Sequence, residues 1–111
     1  MPKHRNDRLQ GTLDLLILKI LAGSNASHGY AIAQRIHELT EDRLRIEEGS
    51  LYPALHRMTN DKWLKAEWGM TETNRKARFY KTTPLGLRQL EEEQKRWVEL
   101  STAVAQVLRF A

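Results

Sequence analysis

Cysteine is absent from this sequence, which excludes disulfide frameworks and thiolate metal centres and is compatible with a reducing compartment. Long apolar runs are missing as well. The longest, Leu13 to Ala22, is interrupted by Asp14 and Lys19 and is too short to span a bilayer. No cleavable leader precedes it, so the expectation is a soluble cytoplasmic protein with no membrane partner. Internal repeats and low-complexity segments are lacking. So are the signatures of catalysis: there is no HExxH, no set of P-loop glycines and no GxSxG, and the four histidines fall on separate predicted elements. These absences argue against an enzyme, and no cofactor or metal is expected.

What remains is a chain of 111 residues, enough for one domain with a modest core. Its formal charge of +4 favours a polyanionic partner, a property shared by basic proteins that bind no nucleic acid. Met1 to Arg8 is polar, with Lys3, His4, Arg5 and Arg8, and reads either as a frayed terminus or as a basic arm touching phosphate.

Leu9, Leu13, Leu16, Ile17, Ile20 and Leu21 recur at helical spacing, which predicts a first helix over 9–22. Leu15 and Leu18 add a second apolar flank, to be covered by the domain's own core or by a partner chain. Gly23-Ser24-Asn25 ends it. A second helix is predicted over 27–40, capped by Ser27 or His28. Tyr30, Ile32, Ala33, Ile36 and Leu39 are its inward positions, with Gln34, Arg35, His37 and Glu38 facing outward. His28 has no neighbouring acid to orient it and reads as a capping or packing residue. Leu44-Arg45-Ile46 alternates briefly, as one short strand would.

The segment from Glu47 to Met58 predicts a short third helix with two unlike faces. Leu51, Leu55 and Met58 suit a core. Ser50, Tyr52, Pro53, His56, Arg57 and Asn60 fall mostly opposite and carry no acid. Proline is tolerated only near a helix start, which sets the beginning close to Gly49 or Ser50, with Ser50 a candidate cap. A face of neutral donors, a flat ring and a cation suits a DNA groove. The bland alternatives are packing of Tyr52 on the second helix and plain solvation of His56.

Alternation over 63–68 and 77–82 predicts two strands joined by a polar turn. The hairpin tip carries Asn74, Arg75, Lys76 and, just beyond, Arg78: a solvated turn, or a basic loop lying along phosphates or entering the minor groove. Thr83-Pro84 then starts a helix running to about Phe110. Leu90, Trp97, Leu100, Val104 and Val107 form an apolar seam along it. At about 1.5 Å per residue the helix is roughly 40 Å long, more than so small a domain can cover. A two-fold mate is the economical cover.

The order helix, helix, helix, hairpin, long helix suggests a winged helix-turn-helix. His28-Gly29-Tyr30, the run Gly49-Ser50-Leu51-Tyr52-Pro53-Ala54-Leu55-His56-Arg57-Met58, Tyr80 followed by Thr83 and Gly86, and the opening Gly11-Thr12-Leu13-Asp14-Leu15-Leu16-Ile17-Leu18 resemble the PadR-like transcriptional regulators of bacteria. The fold expected is mainly α with a small β-hairpin: a winged helix-turn-helix over 1–83 and a long C-terminal dimerisation helix over 84–111 packed with the helix over 9–22. The resemblance implies a sequence-specific DNA-binding regulator, usually a repressor, that holds a palindromic operator in double-stranded DNA as a homodimer. Carried over by position, Ser50, Tyr52, Pro53, His56 and Arg57 would enter the major groove, while Arg75, Lys76 and Arg78 would serve the wing. The dimer would be joined through Leu15, Leu18, Leu90, Trp97, Leu100, Val104 and Val107. In some relatives, aromatic residues of the last helix line an interface pocket for flat hydrophobic molecules, so Trp97 either packs or receives a small planar hydrophobic effector. A winged-helix module that binds protein instead of DNA is the other class. Two positions depart from the family pattern. Lys62 stands where glycine is usual, and Thr82 where an apolar residue is favoured.

Overall fold

The computed structural model describes residues 3–111, with side chains from Thr12 onward, so the basic side chains Lys3, His4, Arg5 and Arg8 lie outside the described residues. Helix α1 spans Lys3–Ala22, beginning ahead of the apolar stripe. Strand β1 is the pair Ser27–His28, followed directly by helix α2, Gly29–Leu39. Helix α3 is Glu48–Asn60, strands β2 and β3 are Leu64–Met70 and Lys76–Thr82, and helix α4 runs Pro84–Phe110. The sheet is antiparallel in the order β1-β3-β2, with Ser27 opposite Tyr80 and Trp68 opposite Arg78.

The core is drawn from every helix. Ile17, Leu18 and Leu21 of α1 meet Ile32 and Ile36 of α2 and Leu51, Leu55 and Met58 of α3, with Leu64, Tyr80 and Leu90 closing the sheet and α4 sides. These residues recur at helical or alternating spacing, so one face of each element turns inward. Two expected inward positions do not: Tyr30 is 67% exposed and Leu39 58%. Ile32 and Ile36, one turn apart, with Ala33 packed beside them, fill the contact with the core, and the Tyr30 ring lies beside His28 at 6.5 Å between centroids.

The third strand is at 27–28, not at 44–46 as the alternation suggested. The reason is where the backbone donors go. The Ile46 N–H is given to His37 Nε2 at 2.8 Å, and the Leu44 N–H to Thr40 Oγ1 at 3.1 Å. With those donors spent, the segment has no ladder to offer. Ser27 and His28 pair with β3 instead, and His28 Nδ1 then accepts from the Ala31 N–H at 3.4 Å to cap α2, as expected of a capping histidine.

Thr83 joins the sheet to α4. Its hydroxyl accepts the Gly86 N–H at 3.0 Å and donates to the Lys62 carbonyl at 2.6 Å. A Cβ at Gly86 would overlap the Trp63 carbonyl oxygen, so only glycine allows α4 to start this close to the residue that leads into β2. Lys62, at the turn after α3, has φ 69, the left-handed region that glycine favours. A glycine would take this conformation freely, whereas the lysine is strained in it. At Thr82 the hydroxyl is buried without a hydrogen-bond partner. Removing it while keeping the shape should stabilise the fold, because an unsatisfied buried polar group costs about 1–3 kcal/mol. Thr82→Val is therefore expected to raise the unfolding free energy by about 1 kcal/mol, and urea titration checks it; an equal or lower midpoint would contradict it.

Candidate nucleic-acid interface

Helix α3 is held by Leu51, Ala54, Leu55 and Met58, all buried, and this fixes which side faces solvent. Ser50, Tyr52, Pro53, His56 and Asn60 are exposed. The helix starts at Glu48, one or two residues earlier than the proline suggested. Glu47 is the N-cap without a side-chain bond, so Ser50 lies inside the first turn and caps nothing. Pro53 consequently sits in the second turn, where its missing N–H leaves the Gly49 carbonyl without its usual helical donor. The first turn also carries an acid, Glu48, which suits the positive end of the helix dipole. The exposed face is thus not free of acids at its N-terminal edge.

Tyr52 is both packed and exposed. A Cβ at Gly29 would meet the tyrosine ring at 2.7 Å, so the glycine is what lets that ring lie on the first turn of α2. The ring is still 43% exposed, and burial followed by the charge of Glu48 raises its hydroxyl pKa above the usual value. The words His28-Gly29-Tyr30 and Leu51-Tyr52-Pro53 therefore describe one contact, with Gly29 shaped to seat Tyr52.

Arg57 departs from the expectation of a free base-reading fork. Its two terminal nitrogens donate to Asp14 of α1, NH1 to Oδ2 at 3.0 Å and NH2 to Oδ1 at 2.7 Å. This is the bidentate geometry in which arginine binds a carboxylate most strongly, and it uses the fork that guanine would need. Asp14 is only 5% exposed. Burial pushes its carboxyl above the usual value, against the hydrogen bonds and charge of Arg57, while those same hydrogen bonds raise the Arg57 pKa. Asp14 entered the sequence reading only as a break in an apolar run. A lone acid among leucines needs a buried cation, and that was the signal available.

The wing presents Arg75, Lys76 and Arg78, all exposed. Its turn is tight: Thr71 and Arg75 are joined through the Thr71 N–H at 2.8 Å, with Asn74 at φ 64. Lys76 Nζ lies 5.0 Å and Arg78 Cζ 5.6 Å from the centre of the Trp68 ring. Trp68 was not singled out from sequence, although the pairing of the two strands sets it opposite Arg78.

The expected dimer residues divide. Leu18 and Leu90 belong to the chain's own core and offer no surface to a partner, because they close α1 and α4 against the domain itself. Leu15 is half-buried against that core. Trp97, Leu100, Val104 and Val107 are exposed, as are Val98, Leu108 and Phe110 around them. An open groove of about 630 Å³ between Lys65, Phe79, Lys81 and Pro84 is not lined by Trp97. Among the described residues no group of three or more His, Asp or Glu side chains could hold a metal ion, and no helix is long and apolar enough to cross a membrane.

A family model described as the transcriptional regulator PadR-like family matches residues 17–92. A transcriptional regulator of Mycobacterium tuberculosis is 35% identical over 83 residues, 75% of this chain and 74% of that protein. Among solved structures, a transcriptional regulator from Clostridium thermocellum superposes with a TM-score of 0.78 at 30% identity, covering 95% of this chain and 98% of that one. A PadR-like transcriptional regulator from Bacillus cereus does so with a TM-score of 0.76 at 30% identity, covering 95% and 99%.

Replacing Arg57 with Ala should leave the Asp14 carboxylate buried with no cation, at a cost of about 3 kcal/mol, the low end for a buried pair because one side of the guanidinium is wet. The Asp14 pKa in the folded variant then rises further above its unfolded value. Stability from its protonated form is present below the ordinary carboxylate range and is lost as pH rises through the elevated folded value. The deficit of Arg57→Ala against wild type should accordingly shrink as pH is lowered from neutrality toward about 4, read by urea unfolding at several pH values. A deficit constant with pH would contradict the buried-pair account.

Proposed function

The chain belongs to the PadR-like family of transcriptional regulators, and from that premise we propose that it represses transcription by holding a palindromic operator as a homodimer. Members of this family regulate transcription and are not enzymes. The observation that carries the proposal is the exposed side of α3, where Ser50, Tyr52, Pro53 and His56 project from a helix anchored by four buried side chains. Such a helix fits a major groove, with Ser50, Tyr52 and His56 the groups that reach base edges and Arg75, Lys76 and Arg78 on flanking phosphates. Arg57 acts here by fixing α3 to α1 and not by reading a base.

The homodimer is supported by the exposed apolar strip of α4 from Trp97 to Phe110, which one copy of the chain leaves uncovered. Two chains joined along that strip would present their α3 helices about 34 Å apart, one turn of DNA. Trp97 offers the flat surface on which a planar hydrophobic effector would rest, and effector response is the further layer of the proposal. Titration of planar aromatic compounds should then quench tryptophan fluorescence saturably, and a wholly linear response would remove the effector from the account.

Selection of bound duplexes from a random pool, followed by competition assays over a salt series, tests the DNA reading. His56→Ala should relax base preference at one position of each half-site, at about 1–3 kcal/mol of discrimination. Lys76→Ala should weaken binding evenly across sequences and lower the salt slope by about 1. Unchanged preference in the His56 variant would reject its role, and a protein that sediments as a monomer with its DNA would reject the dimer.

A further inference from the structure

We propose that Trp68 is a positioning residue of the wing, gathering Lys76 and Arg78 into one cationic spot that grips DNA phosphate; the inference rests on the DNA-binding reading above. The core does not require this tryptophan. Leu64 of β2 and Tyr80 of β3 are buried, whereas Trp68 is 64% exposed on the same side of β2 as Leu64, beyond the edge of the core. An indole left 64% exposed on a strand whose only buried side chain is Leu64 calls for another reason.

That reason lies across the ladder. Trp68 is directly opposite Arg78, and Lys76, opposite Met70, is its diagonal neighbour. Both distances are within reach of an aromatic side chain in an antiparallel pair. Lys76 and Arg78 are two residues apart on β3, so they project on one side, and as like charges they would diverge into solvent. The indole ring counters this: its negative π face attracts both, with Nζ at 5.0 Å and Cζ at 5.6 Å from its centre. The acid on β2, Glu67, projects to the other side, where it pairs with Lys65 at 3.7 Å. Two long, rotamer-rich side chains are thereby held before any ligand arrives, which removes part of the ordering cost of gripping a phosphate. Arg75, in the adjoining turn, has no such platform.

The test uses the full chain and a duplex of random sequence as probe, with affinity read by fluorescence anisotropy over a salt series and Tm by circular dichroism. Trp68→Ala should keep the wild-type Tm, weaken binding about five- to tenfold at low salt and flatten the salt slope, while Trp68→Phe should restore most of both. In a Lys76→Ala/Arg78→Ala background, Trp68→Ala should cost less than about twofold, because nothing is left to position. An equal loss in both backgrounds would mean that the ring meets DNA by itself, and would overturn the positioning role. Binding unchanged by Trp68→Ala while Lys76→Ala/Arg78→Ala weakens it would overturn the inference and leave the DNA reading intact. Failure of the wild-type protein to bind the duplex at any salt would overturn both.

Discussion

A carboxylate buried among leucines must find a cation, and in this molecule the cation comes from the helix that faces solvent. Asp14 and Arg57, 43 residues apart in the chain, close two short hydrogen bonds between α1 and α3. Apolar packing settles which side of α3 faces solvent, but it is non-directional in detail and would tolerate small slides along the core. A forked pair with two fixed bonds resists such slides, so it pins α3 in register against α1. The position of Ser50, Tyr52 and His56 along the core is in that sense held by an acid on another helix. The same pair occupies the one guanidinium fork that α3 carries.

Much of the architecture was legible because it follows from periodicity and from end signals. The buried positions of α1 and α3, the two wing strands and the Thr83-Pro84 start of α4 each match a simple spacing or cap. What could not be read was non-local. The strand at Ser27–His28 exists because β3 passes beside it, and the alternating segment at 44–46 is not a strand because His37 takes its donor. Neither fact is encoded in local spacing. Proline likewise misled the start of α3: the helix accepts Pro53 in its second turn, which lies on an exposed stretch where an unpaired carbonyl can meet water.

At the candidate interface the division is similar. Ser50, Tyr52, Pro53 and His56 were legible as an outward face because their buried counterparts recur at helical steps. The fate of Arg57 depended on a partner in a different element, and the grouping of Trp68 with Lys76 and Arg78 depended on strand register. Leu18 and Leu90 looked like partner-facing residues because a one-dimensional stripe does not say how wide the domain's own core is. The words shared with other family members were informative for a physical reason: Gly29 and Gly86 mark places where Tyr52 and the Trp63 carbonyl come too close for any Cβ.

The hydroxyl of Thr83 receives the first turn of α4 and holds the chain just past α3 at Lys62, and Gly86 and Leu90 seat the same end of the helix on the body, forming the corner between body and rod. Helix α4 is 27 residues long and acts from that corner as a lever arm. With a length near 40 Å, a tilt of one degree at the corner carries the distal end through about 0.7 Å. Two such arms clasped at their tips would convert small angular errors at their bases into a changed span between the two α3 helices, so the calibre of such a caliper would be set at the corner where Thr83, Gly86 and Leu90 lie.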